Sequence, residues 1–201
     1  MKTLVIIVAS LFAGVVLSAP TDSTTKDSQE NTYSIKVSDH GVEKEDTIII
    51  DEEKNIEIFQ TVDSDDAEVV EDFDAGLEGI IPRNGDSCYV KPLNSGENIP
   101  PAELKSRLES SGSENVIQEQ GDKDDDLYVL AGGPIKNRAV VGETIAEKCE
   151  GRNIYWLTLA EDGHQDQGRV KRSCYLYYCS LRVYLGKGRY YYHCYIVRYL
   201  C

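Results

Sequence analysis

Residues 173–201 read SCYLYYCSLRVYLGKGRYYYHCYIVRYLC. This C-terminal segment contains four of the six cysteines and nine of the thirteen tyrosines of the chain, and it contains no acidic residue. Its formal charge is +4, whereas the remaining residues carry 17 basic and 35 acidic side chains, a net charge of −18. The composition therefore separates a short cationic segment from a long acidic one. The four cations of the segment are Arg182, Lys187, Arg189 and Arg198.

The C-terminal segment is predicted to form a β-hairpin. Its middle, residues 185–189, reads LGKGR, and glycines supply the positive φ values that tight hairpin turns need. Both arms are rich in Tyr, Val, Leu and Ile, which favour strands. Nested disulfides, Cys174–Cys201 and Cys179–Cys194, are the pairing that a hairpin allows, although four cysteines permit three pairings. The cysteines are five residues apart on one arm and seven on the other, so a bulge or a splayed end is needed.

A basic tetrad stands directly before the C-terminal segment. Residues 169–172 read RVKR, a sequence of the kind cut by furin-like proprotein convertases, and Arg169, Lys171 and Arg172 are its basic residues. A basic run by itself usually lies on a solvated surface. This one ends a polar linker, residues 159–172, and precedes a block framed by cysteines, so we expect processing after Arg172.

The N-terminus has the pattern of a secretory signal peptide. Lys2 precedes an apolar run over residues 4–17, and the small residues Ser18 and Ala19 follow it. The run is shorter than the roughly 20 residues of a membrane span. We therefore expect a signal peptide at residues 1–18 and a secreted, extracellular product, in a compartment where disulfides persist. Residues 19–44 are predicted to be a disordered acidic leader.

One domain is predicted over residues 45–158, since this length is sufficient for one hydrophobic core. Strands with period-two alternation are bounded by polar and glycine-containing turns, and a proline-led helix follows them. The predicted strands are 47–50, 56–59, 67–73, 88–90 and 153–157. An apolar run at 77–81 leads to a turn at 82–86, helices start at residue 100 and span 142–149, and residues 127–131 and 139–141 flank a turn at 132–134.

Residues 45–158 resemble the BRICHOS domain. The resemblance depends on Asp72-Phe73, on Cys88-Tyr89-Val90 sixteen residues after the aspartate, on the run from Gly142 to Cys149, and on Ile154-Tyr155-Trp156-Leu157. The order of signal, linker, BRICHOS domain and β-prone C-terminal segment also matches that family. Within the family, the chain is most similar to antimicrobial peptide precursors of the arenicin and alvinellacin type.

The resemblance implies a fold, a disulfide and a characteristic residue. The implied fold class is α+β, with a central antiparallel sheet of about five strands and a helix on each face. Cys88 is implied to pair with Cys149, and Asp72 is implied to be the characteristic acidic residue of the family. Without the resemblance, Asp72 would be interpreted as a solvated turn residue. The implied activity is chaperone-like shielding of the precursor's own C-terminal strands.

Two classes of function are consistent with the sequence. The first is a secreted precursor whose peptide disrupts anionic bacterial membranes, with its four cations as the membrane-binding residues. The second is a secreted BRICHOS signalling or mucosal protein whose C-terminal segment binds a receptor or a structural partner. We expect no enzyme, cofactor or metal site, because His40, His164 and His193 stand in no catalytic or ligand pattern. We also expect no nucleic-acid partner. The absence of acidic residues from the segment favours the first class.

Overall fold

The computed structural model describes residues 30–39, 42–60, 67–94, 98–111, 126–160, 173–183 and 190–200. Ten strands and two α-helices form in these ranges. In chain order they are β1 (Glu30–Asp39), β2 (Val42–Asp51), β3 (Ile56–Gln60), β4 (Ala67–Asp72), β5 (Leu77–Pro82), β6 (Ser87–Pro92), α1 (Pro101–Ser111), β7 (Asp126–Leu130), α2 (Glu143–Lys148), β8 (Asn153–Leu159), β9 (Ser173–Val183) and β10 (Tyr190–Leu200), with a 3₁₀ turn at Arg138–Val141 before α2.

The ten described strands form one mixed sheet. Its order is β1-β2-β3-β4-β5-β6-β8-β7-β10-β9. Strands β1 to β6 pair antiparallel with their chain neighbours, as do β7 with β8 and β9 with β10. Two pairings are parallel, that of β6 with β8 and that of β7 with β10. The α+β class is therefore present, with α1 and α2 as its helices.

The prediction of an antiparallel sheet of about five strands was wrong in number and in direction. The number is larger because the predicted domain range itself provides seven strands, β2 to β8, and β1, β9 and β10 join the same sheet. The direction differs because β8 returns beside β6 only after α1, β7 and α2. Parallel neighbours need a crossover of this kind, and a local sequence pattern does not reveal it.

Most local elements lie where the sequence pattern predicted them. β2 and β3 form the expected hairpin around a polar turn, in which Asn55 takes the left-handed conformation with φ 55°. β4, β6, α1, α2 and β8 agree with their predicted positions to within a few residues, and β5 forms at the apolar run 77–81, which was not assigned to a strand. Residues 139–141 differ, because they belong to the 3₁₀ turn that leads into α2. In the described part of the chain, no helix is long and apolar enough to cross a membrane.

The prediction of a disordered leader through residue 44 was wrong for its second half. β1 pairs with β2 over ten residues, from Glu30 opposite Asp51 to Asp39 opposite Val42. The leader is polar on average, but Tyr33 and Ile35 alternate with polar residues and place their side chains against the core. Alternation within a polar stretch, rather than mean composition, determines this strand. Residues 1–29, and with them the predicted signal peptide, lie outside the described residues.

Helices cover the two faces of the sheet. Leu104 and Leu108 of α1 pack on one cluster of buried residues, and Ile145 of α2 packs on the other. Neighbouring residues of a strand, such as Val69 and Val70, contribute to different clusters because successive side chains point to opposite faces. We call the side of the sheet covered by α1 the α1 face, and the side covered by α2 the α2 face. The central strands are consequently buried on both sides.

Ile35 provides a test of the ordered leader. Its side chain is 1% exposed, so Ile35→Ala is expected to lower the free energy of unfolding by about 2–5 kcal/mol. The control is Thr32→Ala on the same strand, where the side chain is exposed and the change is expected to stay within about 0.5 kcal/mol. Urea denaturation of the oxidised chain measures both. Equal stability of the two variants would contradict a structural role for β1.

Candidate functional site

The C-terminal strand pair, β9 and β10, is attached to the domain through β7. β10 runs parallel to β7, with Tyr195 opposite Asp126 and Arg198 opposite Val129. On its other side β7 pairs antiparallel with β8. An edge strand carries unpaired backbone groups that can accept a further strand. β10 therefore extends the domain sheet by strand addition.

Side chains of the C-terminal strand pair enter the core of the α1 face. Val197 is 0% exposed, and Leu176, which lies opposite it on β9, is buried with it. Both belong to the cluster that contains Leu157 of β8 and Leu104 of α1. The C-terminal strand pair is thus held to the domain by apolar contacts as well as by backbone pairing.

Three tyrosines line the boundary between the C-terminal strand pair and the domain. The ring centroid of Tyr89 lies 6.0 Å from that of Tyr199 on β10 and 6.4 Å from that of Tyr155 on β8. Burial, together with the smaller effects of the neighbouring Tyr199 and Tyr155 phenols, raises the pKa of Tyr89 to about 12. The Tyr89 phenol therefore stays neutral at physiological pH, and this boundary is an uncharged aromatic contact.

A row of charged side chains is buried on the α1 face. Glu57, Glu71, Glu78 and Lys91 lie opposite one another on β3, β4, β5 and β6, and all four are buried. The Lys91 ammonium donates to Oε2 of Glu78 at 2.8 Å, and Asn98 Nδ2 donates to Oε2 of Glu71 at 2.6 Å. Buried charges require partners of this kind.

Lys91 connects this charged row to β7, the strand that pairs with β10. Its Nζ lies 5.4 Å from the centroid of the Tyr128 ring on β7, in the arrangement of a cation–π contact. Tyr128 is the residue of β7 opposite Val197 of β10. The position of β7 beside the domain therefore depends in part on the buried charges.

Asp72 ends β4 and is buried, so it is not a solvated turn residue. Its Oδ1 accepts a hydrogen bond from the Ala75 backbone N–H at 2.8 Å, which closes the turn before β5. Its Oδ2 lies against Gly142, where a Cβ would collide with it. Gly142 also has φ 79°, a conformation that glycine adopts without strain. Asp72 thus fixes the β4–β5 turn against the start of α2.

A disulfide fixes the end of α2 to the sheet. Cys88 on β6 is bonded to Cys149, with 6.1 Å between their Cα atoms, and both are fully buried. This is the pair that the resemblance implied. The Arg138 guanidinium caps the same end of α2 by donating to the carbonyl oxygens of Ala146 at 2.8 Å and Cys149 at 2.7 Å. β8 begins directly after this fixed point.

Residues 63–156 match the family model of the BRICHOS domain. The chain contains a BRICHOS domain. No solved structure matches the chain significantly. The matched residues run from just before β4 into β8, so β1, β2, β3 and the C-terminal strand pair lie outside them. BRICHOS is a non-enzymatic domain family, and its proteins are typically secreted or membrane-associated.

Some of the predicted functional residues lie on β9 and β10, and the others lie outside the described residues. Arg198 lies on β10 and is half-buried, and Arg182 lies on β9 opposite Tyr191. Cys174 lies on β9 and is disulfide-bonded, and Cys179 lies opposite Cys194 in the strand register. Outside the described residues are the processing site Arg169, Lys171 and Arg172, the two turn cations Lys187 and Arg189, and Cys201.

Sequence reasoning missed the buried charges and the tyrosine contact. Glu57, Glu71 and Glu78 are charged residues within strands, and such residues ordinarily mark a solvent-facing side. The sequence contains no local signal that α1 covers that side. The tyrosines of the C-terminal segment were noted, but their partners Tyr89 and Tyr155 are distant in sequence.

Lys91 provides a test of the buried charges of the BRICHOS domain. Lys91→Ala leaves Glu78 buried without its ammonium partner and is expected to lower the free energy of unfolding by about 3–5 kcal/mol. The control, Lys54→Ala, removes an exposed ammonium 3.6 Å from Asp51 and is expected to cost at most about 1 kcal/mol. Both values come from chemical denaturation of the oxidised chain. Similar small losses in both variants would refute a structural role for the row.

Proposed function

We propose that the chain is a secreted precursor of a cationic β-hairpin antimicrobial peptide, residues 173–201, which disrupts anionic bacterial membranes. The acidic BRICHOS domain acts as the intramolecular chaperone of that peptide. The observation that carries this proposal is the addition of β10 to the domain edge at β7, with Val197 fully buried. A strand-forming, acid-free segment is thereby attached to the domain by its own backbone.

A chaperone function follows from the chemistry of the segment. It is rich in Tyr, Val and Leu and has no proline, so its reduced, unpaired strands are prone to β-aggregation. Pairing with β7 occupies one edge of β10 over residues 195–198, and pairing with β9 occupies the other edge. Strand residues with both edges paired offer no template to another chain. The domain thus shields residues 195–198 of β10.

The strand register supports the proposed nested disulfides. Cys179 and Cys194 lie directly opposite each other. Cys174 is disulfide-bonded, and five residues along a strand separate it by roughly 16 Å from the level of that pair, beyond the reach of a disulfide. In the sequence, Cys201 follows Tyr199, the residue opposite Cys174, by two positions. The nested arrangement therefore assigns Cys201 as the partner of Cys174.

Attraction to a membrane requires both the cations and the aromatic residues of the peptide. Each cation near an anionic surface is worth about 1 kcal/mol, so Arg182, Lys187, Arg189 and Arg198 together contribute roughly 4 kcal/mol. A binding free energy of this size corresponds to a dissociation constant of only about 1 mM. The tyrosines and aliphatic residues provide the rest at the membrane interface.

The processing step is tested by Arg172→Ala in a secreting cell. A furin-like convertase requires the basic residue before the cut, so the variant is expected to appear as full-length precursor. The control is Lys136→Ala, which removes an exposed cation of the domain and is expected to leave processing unchanged. Mass spectrometry of the medium distinguishes the products. A 29-residue peptide released from the Arg172 variant would show that cleavage occurs elsewhere.

The membrane activity is tested with the oxidised peptide on lipid vesicles. We expect strong dye leakage from anionic vesicles, weak leakage from neutral ones, and a decrease as salt is raised, because charges are screened over about 8 Å at physiological salt. Replacing Arg182, Arg189 and Arg198 by Gln is expected to remove most of the preference for anionic lipid while the disulfides still form.

Two outcomes would argue against this mechanism. Equal leakage from neutral and anionic vesicles, unaffected by salt and by the three glutamines, would exclude electrostatic attraction. A peptide that leaves all vesicles intact but acts on host cells would instead favour the receptor-binding class.

A further inference from the structure

Where the side chains of the C-terminal strand pair are described, one face of the pair is more buried than the other. Leu176 and Val197 lie opposite each other and are buried in the core of the α1 face, and Tyr199 on the same side contacts Tyr89. On the other side Tyr175, which lies opposite Arg198, is 61% exposed. The BRICHOS domain thus covers Leu176, Val197 and Tyr199, three of the apolar or aromatic side chains that a membrane would have to receive.

The contact between this face and the domain does not need a covalent link. It consists of backbone pairing along four residues of β7 and of buried apolar side chains. Within the described part of the chain, Arg198 forms no ion pair with the domain. A short linker raises the local concentration of its two ends to the millimolar range, but it adds no contact.

We propose that cleavage alone does not free the peptide. The BRICHOS domain retains residues 173–201 as a separate chain, held by β7, by the α1-face core and by Tyr89. The retained peptide does not insert into membranes, because Leu176, Val197 and Tyr199 remain packed on the domain. The membrane half of this statement rests on the function proposed above, whereas the retention half does not. An anionic membrane and the domain then compete for these side chains of the peptide.

Salt separates this apolar retention from a simple attraction between an acidic domain and a cationic peptide. Attraction between exposed charges weakens as ionic strength rises. Apolar burial and backbone pairing do not weaken in this way. Retention is therefore expected to persist at about 1 M salt, where the screening length falls to about 3 Å.

The experiment uses the full oxidised chain with a site-specific protease sequence in place of residues 169–172, so that the cut does not depend on any convertase. After complete cleavage, gel filtration at low and high salt and native mass spectrometry show whether the two fragments stay together. Vesicle leakage is then compared between the cleaved complex and an equal amount of isolated oxidised peptide. We expect co-elution at both salt concentrations and at least tenfold less leakage from the complex.

Two tyrosines of the strand pair provide matched variants. Tyr199→Ala removes the ring beside Tyr89 and is expected to weaken retention by roughly tenfold or more. Tyr175→Ala removes an exposed ring and is expected to change retention by no more than about twofold. The dissociation constant is also measured by adding synthetic oxidised peptides to the isolated domain fragment from the cleaved chain, so that a folding defect of a precursor variant does not decide the result.

Each outcome has one interpretation. Immediate separation of the fragments at low salt overturns the proposal, and separation only at high salt overturns the apolar basis of retention. Equal effects of the two tyrosine substitutions overturn the assigned face. Stable co-elution with an isolated peptide that leaks no vesicle upholds retention and refutes the membrane function instead.

Discussion

The parallel pairing of β8 with β6 is the contact on which the rest of the sheet depends, because β8 joins strands β1–β6 to β7, β10 and β9. The chain reaches this position only after a long crossover, so the local sequence does not fix it. The Cys88–Cys149 disulfide closes a loop of 61 residues just before β8 and limits where that strand can lie. The Asn153 N–H also donates to the Asp86 carbonyl at 2.9 Å, which starts the parallel register.

The sequence was sufficient for elements whose signals are local. The β2–β3 hairpin, the strands around Asp72 and Cys88, and both helices follow from alternation, turn residues and a leading proline. It was insufficient for β1, where polar composition concealed the alternation of Tyr33 and Ile35. It was also insufficient for strand order, since a pattern within one strand contains no information about which distant strand lies beside it.

The candidate site shows the same limit at the level of single residues. Alternation predicts two faces for a strand but does not reveal whether the second face meets water or a helix. Because α1 covers that face, Glu57, Glu71 and Glu78 are buried, and Lys91 and Asn98 are placed to pair with them. Such a row stabilises little relative to an apolar core, but it penalises any register that separates the pairs. The charged row thus favours one alignment of β3 to β6.

Electrostatic attraction acts over a longer distance than apolar contact. The C-terminal segment and the rest of the chain offer each other both kinds of interaction. The excess of acidic residues outside the C-terminal segment attracts its cations over a distance of about one screening length, roughly 8 Å at physiological salt. Close contact in the described residues is instead formed by Val197, Leu176 and Tyr199, which are uncharged. Under the proposed function, an anionic membrane would offer the peptide both a charged surface and an apolar interior. It would then compete with the domain for both kinds of contact, whereas salt weakens only the electrostatic one.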